Sequence, residues 1–113
     1  PLLAEGQIEG GVAQGLGLAL MEEYIPDRTE NLHDYLIPTI GDMPEIESIF
    51  IEKTDPEGPM GAKGLGEHVL IPTTPAILHA LRNCTGAIIK KLPALPHRVL
   101  EAISEAENET RKN

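Results

Sequence analysis

Cysteine and aromatic residues are both scarce in this chain of 113 residues. Cys84 is the single cysteine, and Tyr24, Tyr35 and Phe50 are the aromatic residues. One cysteine excludes a disulfide within the chain and a four-thiolate zinc or iron–sulfur site built from this chain alone. We expect Cys84 to be a small buried apolar residue on a helix. Because aromatic residues are so few, the core has to be built from aliphatic side chains, and we therefore expect a thin core.

Positive charge and long apolar runs are lacking as well. The chain has nine lysines and arginines but 18 acidic residues, which gives a net charge of −9. This balance argues against nucleic acid, whose binding depends on cations that neutralise phosphates, and against anionic membranes. No apolar run approaches the roughly 20 residues that span a bilayer, and no signal-peptide pattern opens the sequence. We therefore expect a soluble, cytoplasmic protein with neither a nucleic-acid nor a membrane partner.

The first part of the chain has the apolar spacing of a helix. Apolar residues recur every three or four positions between residues 5 and 24, which predicts an amphipathic helix. Gly11 follows Gln7 by four residues, Gly15 follows Gly11 by four, and Gln14 follows Gln7 by seven, so bare backbone and two amides share one flank. That flank could receive a ligand or another helix, and the glycines do not distinguish the two. An exposed polar face is the simpler explanation of the glutamines.

Further along the chain, the patterns predict an α+β fold with about three helices, a short sheet and a glycine-rich loop. β-Branched residues with imperfect alternation indicate strands, and apolar residues at helical spacing with Pro and Gly at the ends indicate helices. Residues 1–104 are expected to form one unit, followed by a charged, disordered tail at 105–113. The predicted elements are strands at 45–53 and 87–89, a helix at 72–84 with Pro75 in its first position and Gly86 as its cap, and a helix at 97–107.

A glycine-rich stretch at residues 56–72, PEGPMGAKGLGEHVLIP, is the most unusual part of the sequence. Glycine is favoured where φ is positive or where a ligand or another backbone approaches closely. The stretch is explained either by a turn before a helix or by a loop that lies against a cofactor and presents Glu67 beside it. The four histidines are not spaced as local ligand pairs, so no metal site is predicted from them.

Three separated segments together resemble one protein family. They are EGQIEGGVAQGLG at residues 5–17, DYLIPT at residues 34–39 and GAKGLGE at residues 61–67, the last followed by the helix pattern PTTPAILHAL. In this order they resemble the C-terminal part of the molybdenum-binding subunit of the xanthine dehydrogenase and aldehyde oxidoreductase family. The resemblance covers nearly the whole chain.

The resemblance implies a molybdenum–molybdopterin cofactor and a role for each matching residue. It makes Glu67 the catalytic general base, which accepts a proton from the hydroxyl that attacks the substrate carbon. A closed site would suit this role, because desolvation raises the pKa of a carboxyl group. Without the resemblance, Glu67 is more simply a surface glutamate at a helix start or a partner of Lys63. The residues implied to contact the cofactor are Gln7, Gly61, Ala62, Lys63 and Gly64.

The implied function is that of part of a molybdenum hydroxylase, acting on an aldehyde or an N-heterocycle with water as the oxygen source. As a piece of a larger molybdenum-cofactor-binding domain, the chain would need the remainder of the molybdenum-binding subunit, an iron–sulfur subunit and an FAD subunit as partners. We expect the isolated chain to be inactive and to lack the cofactor. The alternative is a non-catalytic module for subunit interaction, or an inactive remnant of such an enzyme.

Overall fold

The computed structural model describes residues 2–112, which form three α-helices joined by long irregular segments. Pro1, the first residue of the predicted unit, and Asn113, the last residue of the predicted tail, lie outside the described residues. Within the described range, no helix is both long and apolar enough to cross a membrane. The helices are α1 (Leu2–Leu20), α2 (Leu70–Thr85) and α3 (Pro96–Lys112), with single 3₁₀ turns at Ile40–Asp42 and Pro59–Gly61.

The predicted α+β class is wrong, because residues 2–112 contain no β-strand and the fold is all-α. Residues 45–53 and 87–89, predicted as strands, are irregular. A strand requires a second strand that exchanges backbone hydrogen bonds with it. No segment of the described chain exchanges such bonds with residues 45–53. Their β-branched composition indicates extended backbone, but a sheet depends on a partner that composition cannot supply.

Close packing of α1 against α2 is the main tertiary contact. A Cβ added at Gly11 would lie 2.7 Å from the Cβ of Val69, and one added at Gly15 would lie closer still to Thr73. The hydroxyl of Thr74 donates a hydrogen bond of 2.9 Å to the carbonyl oxygen of Gly15. The glycines therefore let the α1 backbone approach α2, as small residues do where helices pack closely. At these two positions, the flank predicted to receive a ligand or a helix receives a helix.

The start of α2 lies earlier than predicted. The helix begins at Leu70, and Pro75 lies inside it instead of at its first position. Pro72 falls within the first turn, where a missing N–H breaks no helical bond. The hydroxyl of Thr73 donates back to the carbonyl of Val69 at 2.6 Å instead of capping a helix start. At the other end, Gly86 is the predicted cap: it has a φ of 73°, and its N–H donates to the carbonyl of Arg82 at 2.8 Å.

Helix α3 is attached near the end of α1. The Ala94 N–H donates a hydrogen bond of 2.6 Å to the Ala19 carbonyl, and the Arg98 guanidinium forms a hydrogen-bonded ion pair with Glu23. Disorder was predicted from residue 105, whereas α3 continues to Lys112. The same charged residues that suggested disorder are good helix formers, and basic residues in the last turn complement the helix dipole.

The predicted thin core is confirmed. The buried hydrophobic side chains of the described chain are three alanines, Ala19, Ala87 and Ala94. Large aliphatic residues lie on the surface, and Cys84, predicted to be buried, is exposed. The radius of gyration is 18.0 Å, against about 13 Å for a typical compact domain of this length.

Candidate functional site

The packing of α1 on α2 brings the start of α1 to the end of the glycine-rich loop. Gly11 meets Val69, and Gly15, one turn later in α1, meets Thr73, one turn later in α2. The two helices therefore run in the same direction. Gln7 lies one helical turn before Gly11, about 6 Å along the axis, and Glu67 lies two residues before Val69, at most about 7 Å along the chain. Gln7 and Glu67 thus belong to the same end of the helix pair.

The glycine-rich loop begins with a tight turn. Gly61 has a φ of 81° and Met60 a φ of 56°, so both are in the left-handed region. The N–H groups of Gly61 and Ala62 donate to the carbonyls of Gly58 and Pro59 at 3.0 Å each. Those two amides are used by the turn, and the positive φ at position 61 accounts for its glycine.

The next five residues leave their amides unpaired. Within the described part of the chain, the N–H groups of residues 63–67 donate no hydrogen bond. A Cβ added at Gly66 would meet nothing within 4 Å, and one at Gly64 only the His68 ring at 3.6 Å. This run presents backbone donors with open space beside them, which is the arrangement that binds anionic groups in loops before a helix.

An open cleft of about 820 Å³ lies beside the loop. Three of the five predicted cofactor contacts line it, namely Gly61, Lys63 and Gly64, whereas Ala62 and Gln7 do not. Sequence reasoning missed its opposite wall, which consists of residues 50–54. The sequence around residues 50–54, which follow a turn-rich segment, gives no indication of this contact. The contact depends on the chain folding back at residues 55–61.

Glu67, the predicted base, is exposed and does not line this cleft. It forms no ion pair with Lys63 or with any other residue between 2 and 112. The closed surroundings expected for a base are not formed by the described residues. Its carboxylate is therefore available to a group outside this part of the chain.

The two glutamines of α1 are separated in the structure. Gln7 is exposed at the loop end of α1, while Gln14 lines a different cleft of about 420 Å³ together with Glu22 and Ile37. Near this second cleft the Tyr35 hydroxyl donates a hydrogen bond of 2.7 Å to Glu22, which raises the pKa of Tyr35 above its usual value of 10.0. This bond fastens the DYLIPT segment to the end of α1, a role that the sequence did not suggest.

Comparison with known proteins agrees with this arrangement of motifs. The molybdopterin cofactor-binding domain family matches residues 1–44. The chain is 46% identical over 107 residues to the xanthine dehydrogenase molybdenum-binding subunit of Escherichia coli O157:H7, with 89% of this chain covered. It is 39% identical over 107 residues to the aldehyde oxidoreductase of Megalodesulfovibrio gigas, with 90% covered. The chain belongs to the xanthine dehydrogenase and aldehyde oxidoreductase family.

Solved structures of this family share the fold of the chain. Quinoline 2-oxidoreductase from Pseudomonas putida 86 superposes with a TM-score of 0.85 at 38% identity, covering 94% of this chain and 14% of that one. The aldehyde oxidoreductase of Desulfovibrio desulfuricans also gives a TM-score of 0.85, at 41% identity, covering 90% of this chain and 12% of that one. This chain spans 14% of the length of the E. coli relative and 12% of that of the M. gigas relative.

The cofactor of this molybdenum-binding family is molybdenum–molybdopterin. The residues of the loop fit such a group, because an anionic, hydrogen-bonding ligand needs donors and room to approach. The unpaired amides of residues 63–67 supply donors, and Gly66 leaves the space beside the backbone open. Lys63 adds a positive charge in the neighbouring cleft.

Proposed function

We propose that this chain is part of a molybdenum hydroxylase that hydroxylates an aldehyde or an N-heterocycle, with water as the source of the oxygen atom. Membership of a family of molybdenum-binding oxidoreductase subunits supports this proposal. Of the four relatives described above, one is named for xanthine, one for quinoline and two for aldehydes, so both substrate classes occur among these names.

One structural observation carries the proposal. The parallel contact of α1 with α2, through Gly11 and Val69, puts the Gln7 end of α1 and the Glu67 end of the loop together. These residues are distant in sequence, and close helix packing at Gly11 and Gly15 is what holds their segments side by side. A cofactor that met both the amide of Gln7 and the backbone of residues 61–64 would lie at this end of the helix pair.

Each of these groups has a distinct task in the proposal. When bound, the molybdenum cofactor would supply the two-electron oxidation of the substrate carbon, by accepting the hydrogen and the electron pair of the C–H bond that the new carbon–oxygen bond replaces. A carboxylate oxygen of Glu67 accepts the proton of the water-derived hydroxyl as the new carbon–oxygen bond forms, which is general-base catalysis. Gln7 orients the cofactor through its side-chain amide, and the loop backbone from Gly61 to Gly64 lies against it. Residues outside this chain have to surround Glu67, so that water is excluded from its carboxylate.

The partners in this proposal are the rest of the molybdenum-binding subunit, an iron–sulfur subunit and an FAD subunit. Two electrons leave the substrate in each turnover and have to be passed to an electron acceptor. With Cys84 as its single cysteine, the chain cannot itself hold an iron–sulfur cluster of four thiolates. Electron transfer is therefore assigned to other subunits.

The test uses a hybrid subunit, in which this chain replaces the matched segment of the E. coli relative and is expressed with that relative's partner subunits. We expect stoichiometric molybdenum and xanthine hydroxylation in the hybrid, and neither in the chain purified alone. Molybdenum is measured by elemental analysis and turnover by product formation. Stoichiometric molybdopterin in the isolated chain would contradict the proposal. A hybrid that assembles without molybdenum would favour the interaction module instead.

A further inference from the structure

Residues 43–55, which we call the extended segment, form a length of backbone whose one hydrogen bond within the described chain lies at its end, where the Asp55 N–H donates to the Gly61 carbonyl at 3.1 Å. They contain neither a turn nor a bend, so the segment runs without a sharp change of direction. Across the described chain, no backbone N–H or carbonyl of residues 45–54 takes part in a hydrogen bond. An unpaired extended backbone presents the row of donors and acceptors that is found at the open edge of a sheet.

The exposure of the side chains alternates between residues 45 and 51 of the extended segment. Ile46 and Ser48 are half-buried, and Phe50 is 40% exposed, whereas Ile49 is 80% and Ile51 90% exposed. This period of two is the one that a β-strand imposes, with successive side chains on opposite faces. The outer face therefore carries two isoleucines in water, and the inner face is already partly covered. Fully covering one isoleucine side chain would contribute about 1.5–3 kcal/mol.

We propose that the extended segment is a β-strand completed by a partner strand from the remaining part of the molybdenum-binding subunit. The partner adds edge-to-edge backbone hydrogen bonds to residues 46–53, and apolar side chains of that part cover Ile49 and Ile51. This is strand addition, in which the backbone provides affinity and alternate side chains provide specificity. The inference rests on the proposed function in one respect, the identity of the partner.

The size of the family's proteins identifies this partner. The same fold, with TM-scores of 0.85, occurs within solved chains of which this chain covers 14% and 12%. In those proteins, most of the polypeptide lies outside the matched region and is available to cover the outer face. A second copy of this chain is disfavoured, because each copy has a net charge of −9 and the two would repel.

Amide hydrogen exchange of residues 46–53 tests the strand directly. The rates are compared between the isolated chain and the hybrid subunit described above. In the hybrid we expect alternate amides to slow by at least about 100-fold, since every second N–H points to the partner strand. Unchanged rates in a molybdenum-loaded hybrid would overturn the inference and leave the proposed function intact. Slowed exchange of alternate amides in a hybrid without molybdenum would support the inference and contradict the proposed function.

Two further outcomes are decisive. Protection in the isolated chain that grows with protein concentration would assign the edge to a second copy and overturn the proposal. If the hybrid does not fold, the isolated chain is co-expressed with the relative lacking its matched segment, and the same rates are measured in that complex. Failure of both assemblies would also overturn the proposal, because the named partner would not accept the chain.

Proline substitutions provide an independent test with a matched control. Proline lacks an N–H and removes one bond of a sheet ladder. Because neighbouring N–H groups point to opposite edges, we expect at least one of Ile49→Pro and Phe50→Pro to reduce the yield of assembled complex by about tenfold or more. The control is Ile40→Pro, since Ile40 is 97% exposed, begins a 3₁₀ turn and follows an extended residue. Equal yields for all three variants would contradict strand addition.

Discussion

The hydroxyl of Thr74 donates a hydrogen bond of 2.9 Å to the backbone carbonyl oxygen of Gly15, 59 residues earlier in the chain. This bond joins α1 to α2 at the point where Gly15 also faces Thr73. The arrangement depends on the absence of a side chain at Gly15, since a Cβ there would overlap the Thr73 side chain at its β-carbon, which cannot rotate away. The position of Gln7 relative to the loop rests on the same contact.

The first prediction concerns this helix contact. Both Gly15→Ala and Gly10→Ala gain about 1 kcal/mol in helix propensity, so the difference between the variants isolates packing. A Cβ at Gly10 would meet nothing within 4 Å, whereas one at Gly15 would clash with Thr73. We expect Gly15→Ala to be less stable than Gly10→Ala by about 1–3 kcal/mol, the usual cost of overpacking. The measurement is the free energy of unfolding in urea, and equal values would show that α1 does not pack here.

The second prediction separates a catalytic base from a surface glutamate. In the molybdenum-loaded hybrid subunit, Glu67→Gln keeps the size of the side chain but cannot accept the proton. We expect turnover to fall by about 10²- to 10⁴-fold while molybdenum content stays the same. The matched control is Glu57→Gln, an exposed glutamate of the same loop region, which should leave turnover unchanged. A decrease of less than about tenfold for Glu67→Gln, below the range of general-base catalysis, would remove Glu67 from the mechanism.

The third prediction concerns the cofactor contact of Gln7. Loss of one hydrogen bond weakens binding by about 0.5–1.5 kcal/mol, or roughly 2- to 10-fold. We expect Gln7→Ala to lower molybdenum retention by that factor during dialysis of the hybrid subunit. Gln14→Ala serves as the control, since Gln14 lies in α1 but lines the other cleft. Equal retention in both variants would argue that Gln7 is merely a polar residue on an exposed face.

The fourth prediction concerns acid stability near the end of α1. The hydrogen bond from Arg98 holds the pKa of Glu23 below its ordinary value of 4.5. A lowered pKa in the folded state stabilises the fold above pH 4.5, and the stabilisation is lost as the pH falls through the lowered value. We therefore expect the stability advantage of wild type over Glu23→Gln to shrink as the pH falls below 4.5.

A double-mutant comparison tests the cause of this pH dependence. In an Arg98→Met background the hydrogen-bonded partner is absent and only the smaller effects of the Lys91 and His97 charges still lower the pKa of Glu23. The effect of Glu23→Gln on stability should therefore differ much less between pH values above and below 4.5. Thermal unfolding at a series of pH values measures each of the four proteins. An undiminished pH dependence in the Arg98→Met background would assign it to other carboxyl groups.

The sequence by itself determined the elements that depend on neighbouring residues. The spacing of apolar residues located all three helices, and Gly86 ended α2 as predicted because a left-handed residue after a helix is favourable locally, whatever surrounds it. The three motifs likewise identified the family, since they are properties of the sequence alone. The glycine spacing of α1 indicated a surface for close approach, but both a ligand and a helix satisfy that pattern.

Only the tertiary structure decided which of these alternatives applies, because the answer depends on contacts between residues far apart in the chain. Val69 and Thr73 occupy the faces of Gly11 and Gly15, and the same contact brings Gln7 towards Glu67. The predicted strand at residues 45–53 fails for the same reason: its side chains favour extended backbone, but its hydrogen bonds need a partner that residues 2–112 do not supply. Cys84 is exposed although it lies in an apolar helix pattern, because burial depends on what packs against that face of the helix. Local preferences follow from the order of residues, whereas burial and strand pairing depend on what lies opposite.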